Sequence, residues 1–390
     1  MHGDPVIVAC ARTAIGRSHA AKGVFRRVRA DELAAAAVRA AVDRATVDPA
    51  TIDDVLLGAV KQHGELGGNV ARAVALLAGI PFGSAAATVN RLCGSGLEAI
   101  RQACHAIAAG EADVQVAGGV EHMHHLPMES LVDFHPMAFA ASSRGAASMG
   151  LTAEFLAGEH GISRKAQEAF ALASHRKAHA AAEAGLFDRE IVTTLGHDES
   201  GGLIPVRRDQ SIRNDASLEA MAELPPAFVP KYGTITAATS SPLSDGAAAV
   251  VVMRRETARR LGLAPLARVV ATTVAGVAPA EMGTGPIAAV GRLLARTGVS
   301  ASEIDLVELN EAFAAQAIHC IRSLRLDESR VNVHGGAIAV GHPLGASGAR
   351  IATTLVHAMH ARSARLGLAT MCIGFGQGIA VLLERVDEAT

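Results

Sequence analysis

The chain has 390 residues, half of them hydrophobic, with 39 glycines and a formal net charge of −2 at pH 7. That length allows two or three domains around a substantial core, and that charge excludes a global basic field for nucleic acid. Five cysteines, at 10, 93, 104, 320 and 372, contain no C-x-x-C pair and suit neither a zinc ribbon nor a disulfide framework, which points to a reducing compartment.

From the N-terminus, MHGDPVIVACARTAIGRS lacks the charged and apolar regions of a signal peptide. PVIVAC (5–10) reads as a strand, DELAAAAVRAAVDRA (31–45) as a helix, and DDVLLGAV (53–60) and AAATVN (85–90) as strands. GLEAIRQACHAIAAG (96–110) is helical and DVQVAGG (113–119) is a strand. Residues 121–237 break this alternation. They open on a His- and Met-rich stretch, continue through a strong helix capped by Ser163, and end in a polar segment. AAAVVVM (247–253), LARVVATTVAG (266–276), LVELN (306–310) and LATMCIG (368–374) are strands, and PIAAVGRLLARTG (286–298) and GARIATTLVHAMHAR (348–362) are helices. The chain ends in VDEAT, without a targeting tripeptide, and no apolar run reaches the ~20 residues of a membrane helix. The expectation is an α/β protein, cytoplasmic, with no membrane or nucleic-acid partner.

The halves repeat. AAAVRAAV at 35–42 faces IAAVGRLL at 287–294, an offset of 252 residues. The same offset places Ile52, Asp53, Val55 and Leu57 on Ile304, Asp305, Val307 and Leu309, and Ser95 and Gly96 on Ser347 and Gly348. The expected organisation is a first half at 1–120 plus 238–264, a second half at 265–390, and an inserted loop domain at 121–237 of the kind that commonly binds substrate.

Four stretches carry candidate chemistry. TVNRLCGSGLEAI sets Cys93 where a helix begins. A thiol attacks as thiolate, and a helix N-terminus or an imidazole lowers its pKa. ELNEAF puts Asn310 after a strand, AVGHPLGASG puts His342 in a glycine-rich turn, and TMCIGFGQG puts Cys372 at a strand end. Glycines let backbone N–H groups approach an oxyanion. Taken singly, each has a plainer reading: Cys93 and Cys372 as core, Asn310 and His342 as turn caps. GFGQG fails as a dinucleotide loop because residue 379 is Ile. His122, His124, His125 and His135 read as a solvated loop rather than a metal site.

ARTAIGRS, VNRLCGSGLEA, AGGVEHM, MGLTAE, SPLSDGAAA, MGTGP, NEAFAAQ, NVHGGAIAVGHPLGASGAR and CIGFGQGIA, in this order over nearly the whole chain, resemble the thiolase family. VEHMHHLPMESLVDFHP and MCIGFGQGIA are most similar to the branch that forms the β subunit of a bacterial fatty acid oxidation complex. The resemblance implies a five-layer αβαβα fold with duplicated halves. It implies a homodimer, joined in that branch to a hydratase/dehydrogenase α subunit as a heterotetramer. The implied reaction is cleavage of a 3-ketoacyl-CoA to acetyl-CoA and a shortened acyl-CoA, with CoA as co-substrate, no permanent cofactor and no metal.

By the same resemblance Cys93 is the acylated nucleophile, His342 its activator, Cys372 the acid/base and Asn310 the holder of a water. Asn310 and His342 form one oxyanion hole, and the N–H groups of Cys93 and Gly374 form the other. Arg213, Ser241, Met149, Leu243, Ala237 and Phe313 match positions that meet CoA and substrate. Phe375 and Pro225 depart from the family pattern, and Ser148 replaces a His of some biosynthetic members. The alternatives are a biosynthetic acetoacetyl-CoA thiolase, a related condensing enzyme such as a ketoacyl synthase, and a non-catalytic acyl-CoA-binding subunit.

Overall fold

The structure is a computed structural model that describes residues 3–140 and 142–387. Nine strands supply the main path of its large sheet: β1 (Pro5–Thr13), β2 (Asp54–Gly58), β3 (Ala85–Val89), β4 (Val114–His122), β5 (Ser244–Arg254), β6 (Ala267–Gly276), β7 (Leu306–Leu309), β8 (Leu366–Ile373) and β9 (Gln377–Arg385). Their spatial order is β7-β8-β9-β6-β1-β5-β4-β2-β3. Among the described residues the two halves of the sheet are joined where β1 pairs β6, through Val6 with Arg268 and Ile7 with Ala267.

Five helices complete the layers: α1 (Ala30–Ala45), α2 (Val70–Leu77), α3 (Ser95–Ala109), α4 (Gly285–Thr297) and α5 (Leu344–Ala361). Strand β5 shows how the layers are built. Ala247, Ala249, Val251 and Met253 enter a core with α1 and α2, while Ala248, Val250 and Val252 enter a middle core with α3 and α5. Strand β9 repeats this in the second half. Ile379, Val381 and Leu383 face the middle core, and Ala380 and Leu382 face α4. A strand covered on both faces reads as a continuous apolar run. The layers are therefore α, β, α, β, α, as the resemblance implies.

The duplication is visible in hydrogen bonds. Asp53 Oδ2 accepts from the N–H groups of Asp113 and Val114, and Asp305 Oδ2 accepts from those of Arg365 and Leu366. Both sets are offset by the 252 residues of the sequence repeat. The parallel registers match too, Asp54 with Gln115 and Leu306 with Gly367. At the next strand the offset falls to 131, Met253 corresponding to Glu384. The first half thus carries 121 additional residues between those two strands.

Most of those residues leave the sheet, which the excursion rejoins only briefly among the described residues, where Ile191 and Val192 pair in parallel with Arg12 and Thr13 of β1. After β4 come irregular chain with two short 3₁₀ turns, then helices α6 (Met149–Glu159) and α7 (Arg164–Glu183). Ser163 caps α7 through its side chain and the Ala166 N–H, as expected from sequence. Helices α2, α6 and α8 (Ala314–Leu324) and strand β9 are elements the sequence patterns did not single out. Among the described residues no helix is long and apolar enough to cross a membrane.

Helices α3 and α5 cross in the middle layer at Gly96 and Gly348. A Cβ on Gly96 would lie 2.6 Å from the Ala349 nitrogen, and one on Gly348 would overlap the Leu97 nitrogen. Both obstacles are backbone. Gly348→Ala should therefore destabilise by about 1–3 kcal/mol through overpacking, read as a lower urea midpoint. Gly291→Ala, in open space on α4, should leave the midpoint unchanged or raise it.

Candidate active site

The nucleophile turn is strained and braced. Leu92 adopts φ +46°, a left-handed conformation costly for a non-glycine residue. Ser95 Oγ accepts from the Arg91 N–H at 2.9 Å and donates to the Leu92 carbonyl at 2.6 Å. Gly94 is the N-cap of α3, and a Cβ there would lie 2.5 Å from Ile373 Cδ1. Cys93 is thus half-buried, one residue outside the helix start, against the end of β8.

The second half brings His342. Gly341, at φ +119°, sits where a Cβ would strike Ser244 Oγ and Ile15. The His342 N–H donates to Ser244 Oγ at 3.1 Å, its Nδ1 lies 2.6 Å from Ser347 Oγ, and its Nε2 lies 3.5 Å from Asn310 Nδ2. The Asn310 amide nitrogen only donates, so Nε2 is the acceptor and Nδ1 carries the proton toward Ser347. Asn310 Oδ1 is buried without a hydrogen-bond partner among the described residues. Glu121, at the end of β4, accepts from the N–H groups of Val60, Lys61 and Gly345 and so fixes the turn after His342.

Cys372 is buried at the end of β8, packed with Met149, Ala312 and Phe313. The N–H groups of Gly374 and Cys93 lie near enough to the Cys93 sulfur to lower its pKa, and Cys372 feels the charge of Cys93. Cys93, Cys372 and Gly374 thus form one group and Asn310 and His342 a second. The two are brought near each other where the Asn310 N–H donates to the Thr370 carbonyl, two residues before Cys372, and where Glu121, whose charge acts on Cys93, accepts from the Gly345 N–H after His342. Burial pushes the Cys93 thiol up to about 11, against the two N–H groups that lower it. Burial, then Cys93 and Cys320, push Cys372 well above the usual thiol range. Burial, then the Arg350 cation, push His342 down to about 3. At neutral pH the resting pair is thiol and neutral imidazole, a base already in its proton-accepting form.

The remaining candidates divide. Met149 and Phe313 line the Cys372 side, and Phe313 meets Phe228 edge-on at 6.0 Å. The Ser241 N–H is anchored to the Ala312 carbonyl. Leu243 and Ala237 are exposed on the same connection. Arg213 is exposed elsewhere, its N–H donating to His175 Nδ1. Phe375 has φ +61°, which explains why glycine suits this position, and its ring meets Phe134 edge-on at 4.8 Å. The histidine cluster differs from the solvated loop expected. His122 is fully buried, and Glu65, His122 and His125 bring potential ligand atoms within 4.8 Å of one another. Their ring nitrogens are engaged by protein: His122 by the Phe25 carbonyl and the His125 N–H, His125 by Glu65 and the Arg26 carbonyl.

The thiolase N-terminal domain model matches residues 5–256, and the thiolase C-terminal domain model matches residues 263–385. The chain is a thiolase. It is similar to the 3-ketoacyl-CoA thiolase of Shewanella frigidimarina (strain NCIMB 400), at 52% identity over 385 residues, 98% of this chain and 99% of that one. The protein of the same description from Shewanella loihica is 53% identical over 384 residues, 97% and 99% of the two chains. Among solved structures, human mitochondrial 3-ketoacyl-CoA thiolase superposes with a TM-score of 0.91 at 37% identity, covering 98% of this chain and 99% of that one. The Bacillus anthracis acetyl-CoA acetyltransferase superposes at 0.89 with 36% identity, covering 99% of each.

Three supporting residues of this thiolase escaped the sequence reading: Ser347, Ser244 and Glu121. A signal existed for Ser347, which the repeat aligns with Ser95. Nothing in the sequence pattern pointed to the other two. The neutral resting pair predicts how Cys93 reacts. Its alkylation by iodoacetamide should accelerate continuously from about pH 7 to 9.5, as expected for a thiol titrating above its ordinary value. A plateau already reached near neutrality would instead reveal a preformed thiolate–imidazolium pair.

Proposed function

We propose that this thiolase cleaves 3-ketoacyl-CoA with CoA, giving acetyl-CoA and a shortened acyl-CoA through an acyl-Cys93 intermediate. The observation that carries the reading is that the Asn310–His342 contact lies at the ends of elements packed beside those that carry Cys93, Cys372 and Gly374, with the Asn310 N–H donating to the carbonyl of Thr370 on the Cys372 strand. The relatives named 3-ketoacyl-CoA thiolase, matched over nearly full length, favour it over the acetoacetyl-specific alternative.

In this mechanism His342 Nε2 takes the Cys93 proton as the sulfur attacks the 3-keto carbon. The tetrahedral oxyanion is held by the Cys93 and Gly374 N–H groups. Breaking C2–C3 leaves acyl-Cys93 and the enolate of acetyl-CoA. Protonated His342 and a water held by Asn310 stabilise the enolate oxygen, and Cys372 protonates its carbon. The Cys372 thiolate then takes the proton of an incoming CoA thiol, which attacks acyl-Cys93. The expelled Cys93 thiolate recovers its proton from His342. CoA serves as co-substrate, and the scheme uses no metal or redox group.

The division into halves at 1–120 plus 238–264 and at 265–390, with 121–237 contributing the CoA contacts, belongs to the same proposal. The 121-residue excess of the first half supports it. A homodimer is supported by β3, a sheet edge whose outer side has no strand partner among the described residues. Association with a hydratase/dehydrogenase subunit would appear as a larger species on co-expression.

Cys93→Ala should lower thiolysis about 10⁴-fold or more, as expected for loss of a nucleophile, and should trap no acyl group. Thiolysis near the unmodified rate would overturn the assignment. Cys372→Ser should still be acylated by an activated donor but lose about 10²–10⁴-fold in turnover, the range for general acid–base catalysis. Unchanged exchange of the acetyl-CoA methyl protons in that variant would contradict the role given to Cys372.

A further inference from the structure

Helix α5 lies in the middle layer and is buried over most of its length, yet one face of it is polar. Ser347, Arg350, Thr354 and His357 recur at spacings of three and four, so they share that face. Ser347 Oγ meets His342 Nδ1 at 2.6 Å, Arg350 Nη1 meets Glu308 Oε2 at 3.3 Å, Thr354 Oγ1 donates to Glu190 Oε2 at 2.8 Å, and His357 Nε2 meets Cys10 Sγ at 3.4 Å. Arg350 stands out among them. It is 1% exposed, and its Nε and Nη2 have no hydrogen-bond partner among the described residues.

A buried cation with two unpartnered donors costs several kcal/mol, and well-packed apolar residues in its place are often more stable. Packing alone therefore does not account for Arg350. Its location does. Glu308 lies two residues before Asn310, on the strand that delivers it. Arg350 lies one helical turn beyond Ser347, the partner of His342. The Glu308–Arg350 pair thus spans the two elements whose side chains meet as Asn310 and His342.

We propose that Arg350, braced by Glu308, is a positioning residue for the thiolase reaction: it ties the end of β7 to the start of α5 and so holds Asn310 against His342. The catalytic half of this inference rests on the reaction proposed above. The charge that lowers His342 is that of Arg350, and its polar neighbours Asn310, Ser347 and Ser244 are neutral. Arg350 itself is faced by Glu308 on β7, Glu190 and Asp209 from the excursion, and Arg12 on β1. Burial lifts Glu308 to about 8 against the Arg350 charge that lowers it, and Glu190, Glu311 and Lys177 act on it in turn.

The test compares full-length wild type, Arg350→Met/Glu308→Gln and Arg350→Lys. The double variant leaves no unpaired carboxylate behind, and the lysine retains the cation. The first readout is the His342 ring signal, assigned with His342→Asn and followed by NMR from about pH 5.5 to 8, where an ordinary histidine titrates. Burial, the larger cause of the lowered His342 pKa, remains in every variant, so the reading is the position of the signal. Arg350→Lys should coincide with wild type, whereas the double variant should be displaced, as expected when Asn310 no longer meets Nε2. The second readout is kinetic. The double variant should lose about 10- to 100-fold in kcat, the cost of modest misplacement, with KM for CoA within about twofold.

A folded double variant whose His342 signal and kcat superimpose on wild type would overturn the proposal. If the double variant does not fold, Glu308→Gln replaces it: a displaced His342 signal with lowered kcat would support the proposal, and a signal and kcat that superimpose on wild type would overturn it. If wild type forms no acyl-Cys93, the reaction itself fails, while the NMR comparison still decides whether Arg350 controls His342.

Discussion

The contact on which this structure turns is the crossing of α3 and α5 at Gly96 and Gly348. Each glycine lies within the first turns of its helix and approaches the backbone of the other helix, Gly96 toward Ala349 and Gly348 toward Leu97. These pairs are equivalent under the 252-residue repeat, so the crossing lies on the pseudo-twofold axis of the duplicated chain. Two helix N-termini therefore meet in the middle layer. Each is preceded by a turn, one carrying Cys93 and the other His342. Partial positive charge from two helix starts favours the oxyanions that the proposed reaction generates. Side chains at either crossing position would separate the turns, so the site depends on atoms that these glycines lack.

Symmetry brings the halves together, and its breaking makes the site chemical. Ser95 and Ser347 are repeat equivalents with different work. Ser95 braces the turn before Cys93, while Ser347 fixes the proton on His342 Nδ1. Asn310 corresponds to Gly58, which must stay small because a Cβ there would overlap Ser95. Arg350 corresponds to Glu98, which pairs with Arg91 and Arg101 near the nucleophile turn. The first half thus supplies the nucleophile and the second the base and the amide. The excursion, present in the first half alone, adds Met149 and Phe134 to the surroundings of Cys372 and Phe375.

Much of this was legible in the sequence because the repeat survives at positions that geometry fixes. Asp53 and Asp305 remain because each accepts two N–H groups at a strand start. Ser-Gly remains at 95–96 and 347–348 because of the crossing. Other features were hidden for physical reasons. Strand β9 begins inside GFGQG, whose glycines announce a turn and mask the strand that follows. Helix α6 buries Ala153 and Leu156 but leaves Leu151 and Phe155 exposed, so its apolar residues mark no single face. The roles of Glu121, Ser244 and Arg350 depend on which way a side chain points across the two halves, which period and spacing do not encode.

The electrostatics explain how a half-buried cysteine can serve as the proposed nucleophile without standing as a thiolate. Desolvation disfavours charge on Cys93, Cys372 and His342 alike, so the empty site rests neutral. In the proposed reaction, proton transfer from Cys93 to His342 becomes favourable only when the sulfur has an electrophilic carbon to bond. The negative charge then moves to an oxygen beneath the Gly374 and Cys93 N–H groups. Gly374 is held there by the turn through Phe375 and Gly376, both at positive φ, and by the Gly376 carbonyl accepting from the Val277 N–H at 2.8 Å. Phe375 adopts at some conformational cost a backbone that glycine adopts freely. Its ring meets Phe134 from the excursion, so the residue that departs from the family pattern also ties the excursion to the turn that places the oxyanion donor.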